Sequence, residues 1–99
     1  MRWPFPRTPA LGRDLPANYL EAERVFDRRV KERFPCGTSE DALKAEVLKQ
    51  GFKLLPAYSN IQDATAYRGW ITKTLWSVRW RAERGLITEI WGVYGSRAP

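Results

Sequence analysis

Two segments, Thr74-Leu-Trp-Ser-Val-Arg-Trp-Arg-Ala82 and Leu86-Ile-Thr-Glu-Ile-Trp-Gly-Val-Tyr94, decide the fold of this chain. Each divides into two sets of side chains that alternate residue by residue, and a period of two belongs to a β-strand. Between them, Glu83-Arg84-Gly85 offers a short loop with a glycine, the residue that most easily adopts a positive φ. The two segments therefore predict an antiparallel β-hairpin.

A three-residue loop places Ala82 opposite Leu86 and fixes the register of this hairpin. Arg79 then lies opposite Glu89, and opposite charges on neighbouring strands stabilise a sheet. We expect four side chains of the hairpin to face a helical layer: Trp76, Val78, Trp80 and Ile90. The other face carries arginines among apolar and aromatic side chains.

A first helix is predicted from about Pro16 to Phe34. Its N-terminus is capped by Asp14, or by Asn18 with Glu21 three residues later. Apolar residues recur at spacings of three and four, which gives one buried stripe. The stripe consists of Leu15, Tyr19, Ala22, Phe26, Val30 and Phe34.

A second helix is predicted between Thr38, as its N-cap, and Gly51, which suits the left-handed residue that closes a helix. Phe52 follows as the hydrophobic residue that often accompanies such a glycine. Its inner face is expected to comprise Leu43, Val47 and Leu48, with Ala42 and Ala45.

The remaining residues complete the predicted fold class. Residues 52–57 form a short strand or an extended lead-in, residues 58–63 a polar loop and residues 64–71 a strand. We therefore predict an α+β fold in which two N-terminal helices pack on a three-stranded antiparallel sheet, or a four-stranded one if residues 52–57 also pair. Three prolines predict that residues 1–14 are a Pro-rich basic arm, followed by a single α+β domain of residues 15–99.

The composition argues against catalysis. The chain of 99 residues has no histidine and one cysteine, Cys36, which we expect to be a small buried residue. The commonest general base and the commonest zinc ligand are therefore missing, and no glycine-rich phosphate loop appears. Asp63 and Glu89 are remote candidates for a two-carboxylate site. We predict no enzyme activity, no cofactor and no metal site.

The positive charge is concentrated in the predicted sheet. Residues 64–99 carry six basic and two acidic side chains, a balance of +4, whereas residues 15–51 are neutral with seven of each. The apolar runs are too short to span a bilayer, and no secretory signal is apparent. We therefore expect a cytoplasmic protein, or a periplasmic one only if a signal segment has been removed.

The face of the hairpin turned away from the helices is the predicted binding site. Tryptophan and arginine dominate the energetics of protein interfaces, and exposed apolar groups among polar ones often mark an interaction surface. The predicted binding residues are Arg68, Trp70, Leu75, Arg79, Arg81, Ile87, Trp91 and Val93. We expect a protein partner with an acidic and apolar surface, or alternatively a single-stranded nucleic acid bound by the same residues. A loop, the arm or a second subunit in a homo-oligomer are further candidates to cover this face.

The turn between the helices carries a resemblance. Phe34-Pro-Cys-Gly-Thr-Ser39 opens the second helix, and Gly51-Phe52 closes it before the sheet. In this respect residues 16–95 resemble the BamE (SmpA/OmlA) and β-lactamase-inhibitor-protein type of domain. The resemblance implies an adaptor or inhibitor that acts by protein contact through its sheet, without chemistry.

Overall fold

The computed structural model describes residues 8–69 and 73–97 and has two helices followed by four antiparallel strands. The helices are α1 (Tyr19–Arg33) and α2 (Glu40–Lys49), preceded by a short 3-10 turn at Ala10–Gly12. The strands are β1 (Lys53–Tyr58), β2 (Ile61–Arg68), β3 (Lys73–Glu83) and β4 (Leu86–Arg97), and they lie in the order β1-β2-β3-β4. The predicted α+β class is confirmed, with the fourth strand present. Residues 1–7 of the predicted arm lie outside the described residues.

Helix α1 packs mainly on β4. It begins after Asn18, whose side-chain oxygen accepts a hydrogen bond from the backbone N–H of Glu21 at 3.1 Å, so the second of the two predicted caps is confirmed. Ala22, Phe26 and Val30 of the predicted stripe are buried. Burying a phenylalanine or valine contributes about 1.5–3 kcal/mol, which holds this helix against the sheet.

Helix α2 is capped by Ser39, and not by Thr38 as predicted. The Ser39 hydroxyl accepts from the backbone N–H of Ala42, whereas the Thr38 hydroxyl donates to the carbonyl of Pro35 inside the preceding turn. At the other end Gly51 has a φ of +97°, and the N–H groups of Gly51 and Phe52 bond to carbonyls of the last turn. The predicted closure by Gly51 is therefore confirmed.

The inner face of α2 is narrower than predicted. Leu43 and Val47 are fully buried, but Leu48 is 51% exposed because it lies on the opposite side of the helix from the core. Ala42 and Ala45 are exposed as well. On the outside of this helix, a hydrogen bond from the Gln50 amide, assisted by the positive charges of Arg33 and Lys49, lowers the pKa of Glu46 below its usual 4.5.

The hairpin of β3 and β4 forms as predicted, but with a different turn. Arg84 and Gly85 both have a positive φ, of 53° and 78°, and they make a two-residue connection with Glu83 opposite Leu86. Two central residues with positive φ are the mark of a type I′ turn, whose twist matches that of the strands. The predicted three-residue loop, with Ala82 opposite Leu86, is wrong.

A β-bulge at Thr88 then changes the register a second time. Ala82 lies opposite Ile87, whereas Arg81 lies opposite Glu89, so Thr88 is an extra residue on β4. Beyond the bulge every pairing is displaced by two residues from the predicted one, which leaves each side chain on its predicted face. Trp76, Val78, Trp80 and Ile90 face the helices, as predicted.

Strand β2 begins earlier than predicted. Ser59 and Asn60 form a two-residue turn with positive φ values, and the strand runs from Ile61 to Arg68. The predicted polar loop at residues 58–63 is therefore wrong, and the predicted strand at 64–71 is displaced. Strand β1 continues through Pro56, where its pairing with β2 is irregular. A proline is tolerated there because β1 is an edge strand.

Most of the core lies between the helices and β3. Trp80 is fully buried, and its Nε1 donates a hydrogen bond to the Glu40 carboxylate at 2.8 Å. Trp76 is 4% exposed, and its Nε1 has no hydrogen-bond partner within residues 8–69 and 73–97. The 3-10 turn covers Trp76, with Gly12 so close that an added Cβ would lie 2.6 Å from the indole Cδ1. Cys36, which we expected to be buried, is exposed.

Candidate binding surface

The sheet has one face that carries neither helix, and we call it the outer face. It is defined by the side chains that alternate with the buried ones, and its register is set by Leu55 opposite Asp63, Asp63 opposite Arg79, and Arg79 opposite Trp91. Five predicted binding residues lie on it: Leu75, Arg79, Arg81, Trp91 and Val93. Leu75, Trp91 and Val93 are half-buried, although no described helix or strand packs on them.

Three predicted residues are not part of this face as described. Ile87 is 1% exposed and belongs to the core, because the two-residue turn places it opposite Ala82, on the helical side. Arg68 continues the alternation of Ala64 and Ala66 on the helical side, where it donates a hydrogen bond to the Thr8 hydroxyl. Trp70 lies outside the described residues.

A buried polar network occupies the middle of the outer face. Asp63, Thr65 and Ser77 come from the two central strands, and each is less than a tenth exposed. The Ser77 hydroxyl donates to Oδ1 of Asp63 at 2.7 Å, and the Thr65 hydroxyl donates to the same oxygen at 2.9 Å. The two hydrogen bonds offset part of the cost of burying the carboxylate.

Arg79 lies beside this network. Its Nε donates to the Ser77 hydroxyl oxygen at 3.3 Å and is also 3.3 Å from Oδ2 of Asp63. The Arg79 side chain is 31% exposed, against 7% for that of Asp63. The guanidinium thus compensates a buried negative charge on one side and reaches the surface on the other.

Arg81 makes a different contact. Its Nη1 forms an ion pair with Oε1 of Glu89, the residue directly across the hairpin, and both side chains are about half exposed. An exposed pair of this kind stabilises a fold by only about 0–1 kcal/mol. The two predicted arginines that lie on the outer face, Arg79 and Arg81, are therefore each paired with a carboxylate. The outer face thus has less net positive charge than the sequence suggests.

The structure adds residues to this surface that the sequence reasoning did not find. Leu55 and Tyr67 are 40% and 44% exposed and extend the apolar part toward β1, and Lys53 lies beside them. Tyr67 lies within the predicted strand at 64–71, but the prediction that Arg68 and Trp70 are on the outer face puts Tyr67 on the other face. Leu55 lies in the segment 52–57, which was predicted only as a short strand or an extended lead-in. A recess of about 530 Å³ also borders Trp91 at the outer edge of β4, lined in part by Lys31, Pro35 and Cys36.

Residues 8–69 and 73–97 show no arrangement typical of a metal site or of a membrane-spanning helix. In that part of the chain, no group of three or more Cys, Asp or Glu side chains is arranged to hold a metal ion. Neither described helix has the length and apolar character that crossing a membrane requires.

Comparison of the chain with protein-family models, with curated proteins and with solved structures finds no match. The resemblance to the BamE and β-lactamase-inhibitor-protein type of domain therefore stays a prediction. By its fold and surface, the chain is a small α+β domain with helices on one sheet face and an apolar and charged surface on the other.

Proposed function

We propose that this chain is a small non-catalytic protein-binding module, an adaptor or inhibitor, that docks on another protein through its outer face. One observation carries the proposal: Leu75, Trp91 and Val93 lie near one another and only partly buried on a sheet face on which no described helix packs. Exposing apolar side chains to water is unfavourable, and exposed apolar patches often mark binding sites. Charged residues next to such a patch are typical of protein interfaces.

The chemistry of the face indicates the chemistry of the partner. The apolar side chains of the face lie next to the polar network that contains Arg79, and Lys53 and Lys73 are exposed farther out. A complementary surface has apolar side chains with carboxylates beside them. Tryptophan and arginine supply much of the energy at protein interfaces, so Trp91 and Arg79 are the expected anchors.

Asp63 and Glu89, the candidates for a two-carboxylate site, are both bound to other side chains. Asp63 accepts hydrogen bonds from two hydroxyls and is paired with Arg79, and Glu89 is paired with Arg81. They lie on β2 and β4, with β3 between them. This arrangement favours a binding role for the face.

The experiment is a selection of short random peptides, displayed on phage, against the whole chain at physiological salt. We expect selected peptides to bind the Leu75→Ala and Trp91→Ala variants at least about tenfold more weakly, because each change removes an apolar contact worth more than about 1.4 kcal/mol. Leu20→Ala is the matched control, since Leu20 is a leucine 63% exposed on the helical side. Equal binding to all four proteins would rule out the outer face.

The rival occupant is a single-stranded nucleic acid, and salt separates it from a protein partner. Phosphate contacts release counterions, so binding of a labelled oligonucleotide would fall steeply between low and physiological salt. Asp63 and Glu89 offset the charges of Arg79 and Arg81, so the face has too little net positive charge to attract a polyanion, and we expect little binding even at low salt. Dimerisation that is lost in Leu75→Ala would instead identify a second copy of the chain as the occupant.

A further inference from the structure

Arg79 differs from the other charged residues of the outer face in being held in place by buried groups. Its Nε is 3.3 Å from both the Ser77 hydroxyl and the Asp63 carboxylate, and these two residues are 0% and 6% exposed. All three lie on the two central strands, with Asp63 directly opposite Arg79. The side chain is therefore ordered before any partner arrives, which lowers the entropic cost of binding.

The hydrogen-bonding groups that remain on Arg79 are those at its tip. A guanidinium has five N–H groups in a planar fork, and only the one on Nε bonds within residues 8–69 and 73–97. Within this part of the chain, the four N–H groups on the two Nη atoms make no hydrogen bond. Trp91 lies directly across the hairpin from Arg79 and Val93 lies opposite Ser77, so apolar residues occupy neighbouring positions on the same face.

Arg81 provides the contrast on the same strand and face. It uses Nη1, one arm of the fork itself, to bind Glu89, and both side chains are about half exposed. Its fork is thus already occupied and its position is not fixed by buried groups. Arg79 and Arg81, which alternate on the same strand, therefore differ in which N–H groups of the guanidinium remain available to a partner.

We propose, building on the protein-binding function above, that Arg79 is the receptor for one carboxylate of the partner protein, an aspartate or glutamate that lies next to an apolar side chain. The planar fork of Arg79 matches the two oxygens of a carboxylate, and such bidentate pairs are among the strongest hydrogen bonds in proteins. Asp63 and Ser77 are positioning residues, which act by orienting the fork. Two hydroxyls donate to Oδ1 of Asp63, so its carboxylate is held in place by groups other than Arg79.

The positioning is tested by NMR on the wild-type chain, without a partner. We expect the Nε–H signal of Arg79 to persist at neutral pH with slowed solvent exchange, because this proton is bonded to Ser77 in a poorly exposed place. The Nε–H of Arg28, a side chain 67% exposed, is the internal reference. Asp63→Asn should restore fast exchange to Arg79, and Ser77→Ala is the second variant if Asp63→Asn does not fold. Exchange at Arg79 as fast as at Arg28 in the wild type would overturn the positioning role.

The carboxylate is tested with the peptides selected above on the wild-type chain. We expect their consensus to contain Asp or Glu beside an apolar residue, and Arg79→Lys to bind them at least about tenfold more weakly. Lysine keeps the charge but lacks the fork, so general attraction of acidic peptides to a basic protein cannot produce this loss. Arg28→Lys, the same change on the helical side, should bind as the wild type does, and Arg81→Lys should lose less than Arg79→Lys.

Asp63→Asn separates positioning of Arg79 from general electrostatic attraction, because the two predict opposite changes in peptide affinity. It makes the chain more positive, which would strengthen a purely electrostatic attraction, whereas loss of positioning predicts binding about three- to tenfold weaker. Peptides that depend on Leu75 but lack an acid, or that bind Arg79→Lys normally, would overturn the proposal while the docking function stands. Peptides that do not depend on Leu75 would overturn both.

Discussion

Gly92 sets the distance between α1 and the sheet. A Cβ at this position would lie 2.9 Å from Cδ2 of Phe26 and 3.1 Å from the backbone Cα of Asp27. The backbone N–H of Gly92 also donates to Oδ1 of Asp27 at 2.9 Å. The glycine therefore allows the helix to approach closely enough for a side chain of α1 to bond to the backbone of β4.

Gly92→Ala should lower the free energy of unfolding by about 1–3 kcal/mol, the usual cost of overpacking a close contact. The neighbouring atoms include helix backbone, which cannot move aside without shifting α1. Gly95→Ala on the same strand is the control, because its Cβ would meet nothing closer than the Tyr19 hydroxyl at 3.7 Å. Urea denaturation of both variants measures the difference, and equal stabilities would show that α1 does not pack on β4 in this way.

Individual residues differ in how far the sequence determines their role. The Asn18 cap and the Gly51 closure could be predicted because each depends on local hydrogen bonds and on a positive φ. The Asp63 network could not be predicted, since its partners Ser77 and Arg79 are distant in the sequence. No local pattern indicates which acid on a strand will be paired across the sheet.

At the scale of elements, the hairpin shows why faces are easier to predict than register. The alternation of β3 places Trp76 and Trp80 on one face for any register. The predicted face of Ile87 is wrong because the two-residue turn displaces its pairing by one residue and the bulge at Thr88 comes only after it. Trp91 kept its predicted face because the displacement beyond the bulge is two.

The turn itself provides a test of this register. Arg84→Asn should stabilise the chain by roughly 0.5–1 kcal/mol, because asparagine tolerates the left-handed conformation that costs most residues about 1–2 kcal/mol. Gly85→Ala should destabilise it by about 1 kcal/mol through backbone strain alone, since nothing lies within 4 Å of the added Cβ. Thermal unfolding measures both. If asparagine at position 84 were neutral, the conformation of Arg84 and the two-residue turn would be in doubt.

At the scale of the whole molecule, the two edges of the sheet are treated differently. The β4 edge is covered by side chains of α1: Asp27 bonds to the N–H of Gly92, and the Tyr19 hydroxyl donates to the carbonyl of Tyr94. The opposite edge, β1, is exposed at every residue, and its regular pairing with β2 is interrupted after Leu55. The helical layer therefore protects one edge and one face, and leaves β1 dependent on β2 alone for most of its contacts.

Hydrogen exchange should reveal this asymmetry, because amides open locally where few buried contacts hold a strand. In exchange followed by mass spectrometry, we expect residues 53–58 to exchange at least about tenfold faster than residues 74–82 of the central strand. Residues 88–95 are the matched control, since β4 is also an edge strand but is covered by α1, and they should resemble the central strand. Fast exchange in both edge strands would show that the contacts of Asp27 and Tyr19 do not hold the β4 edge. Slow exchange in β1 would show that some other part of the chain or a second copy covers it.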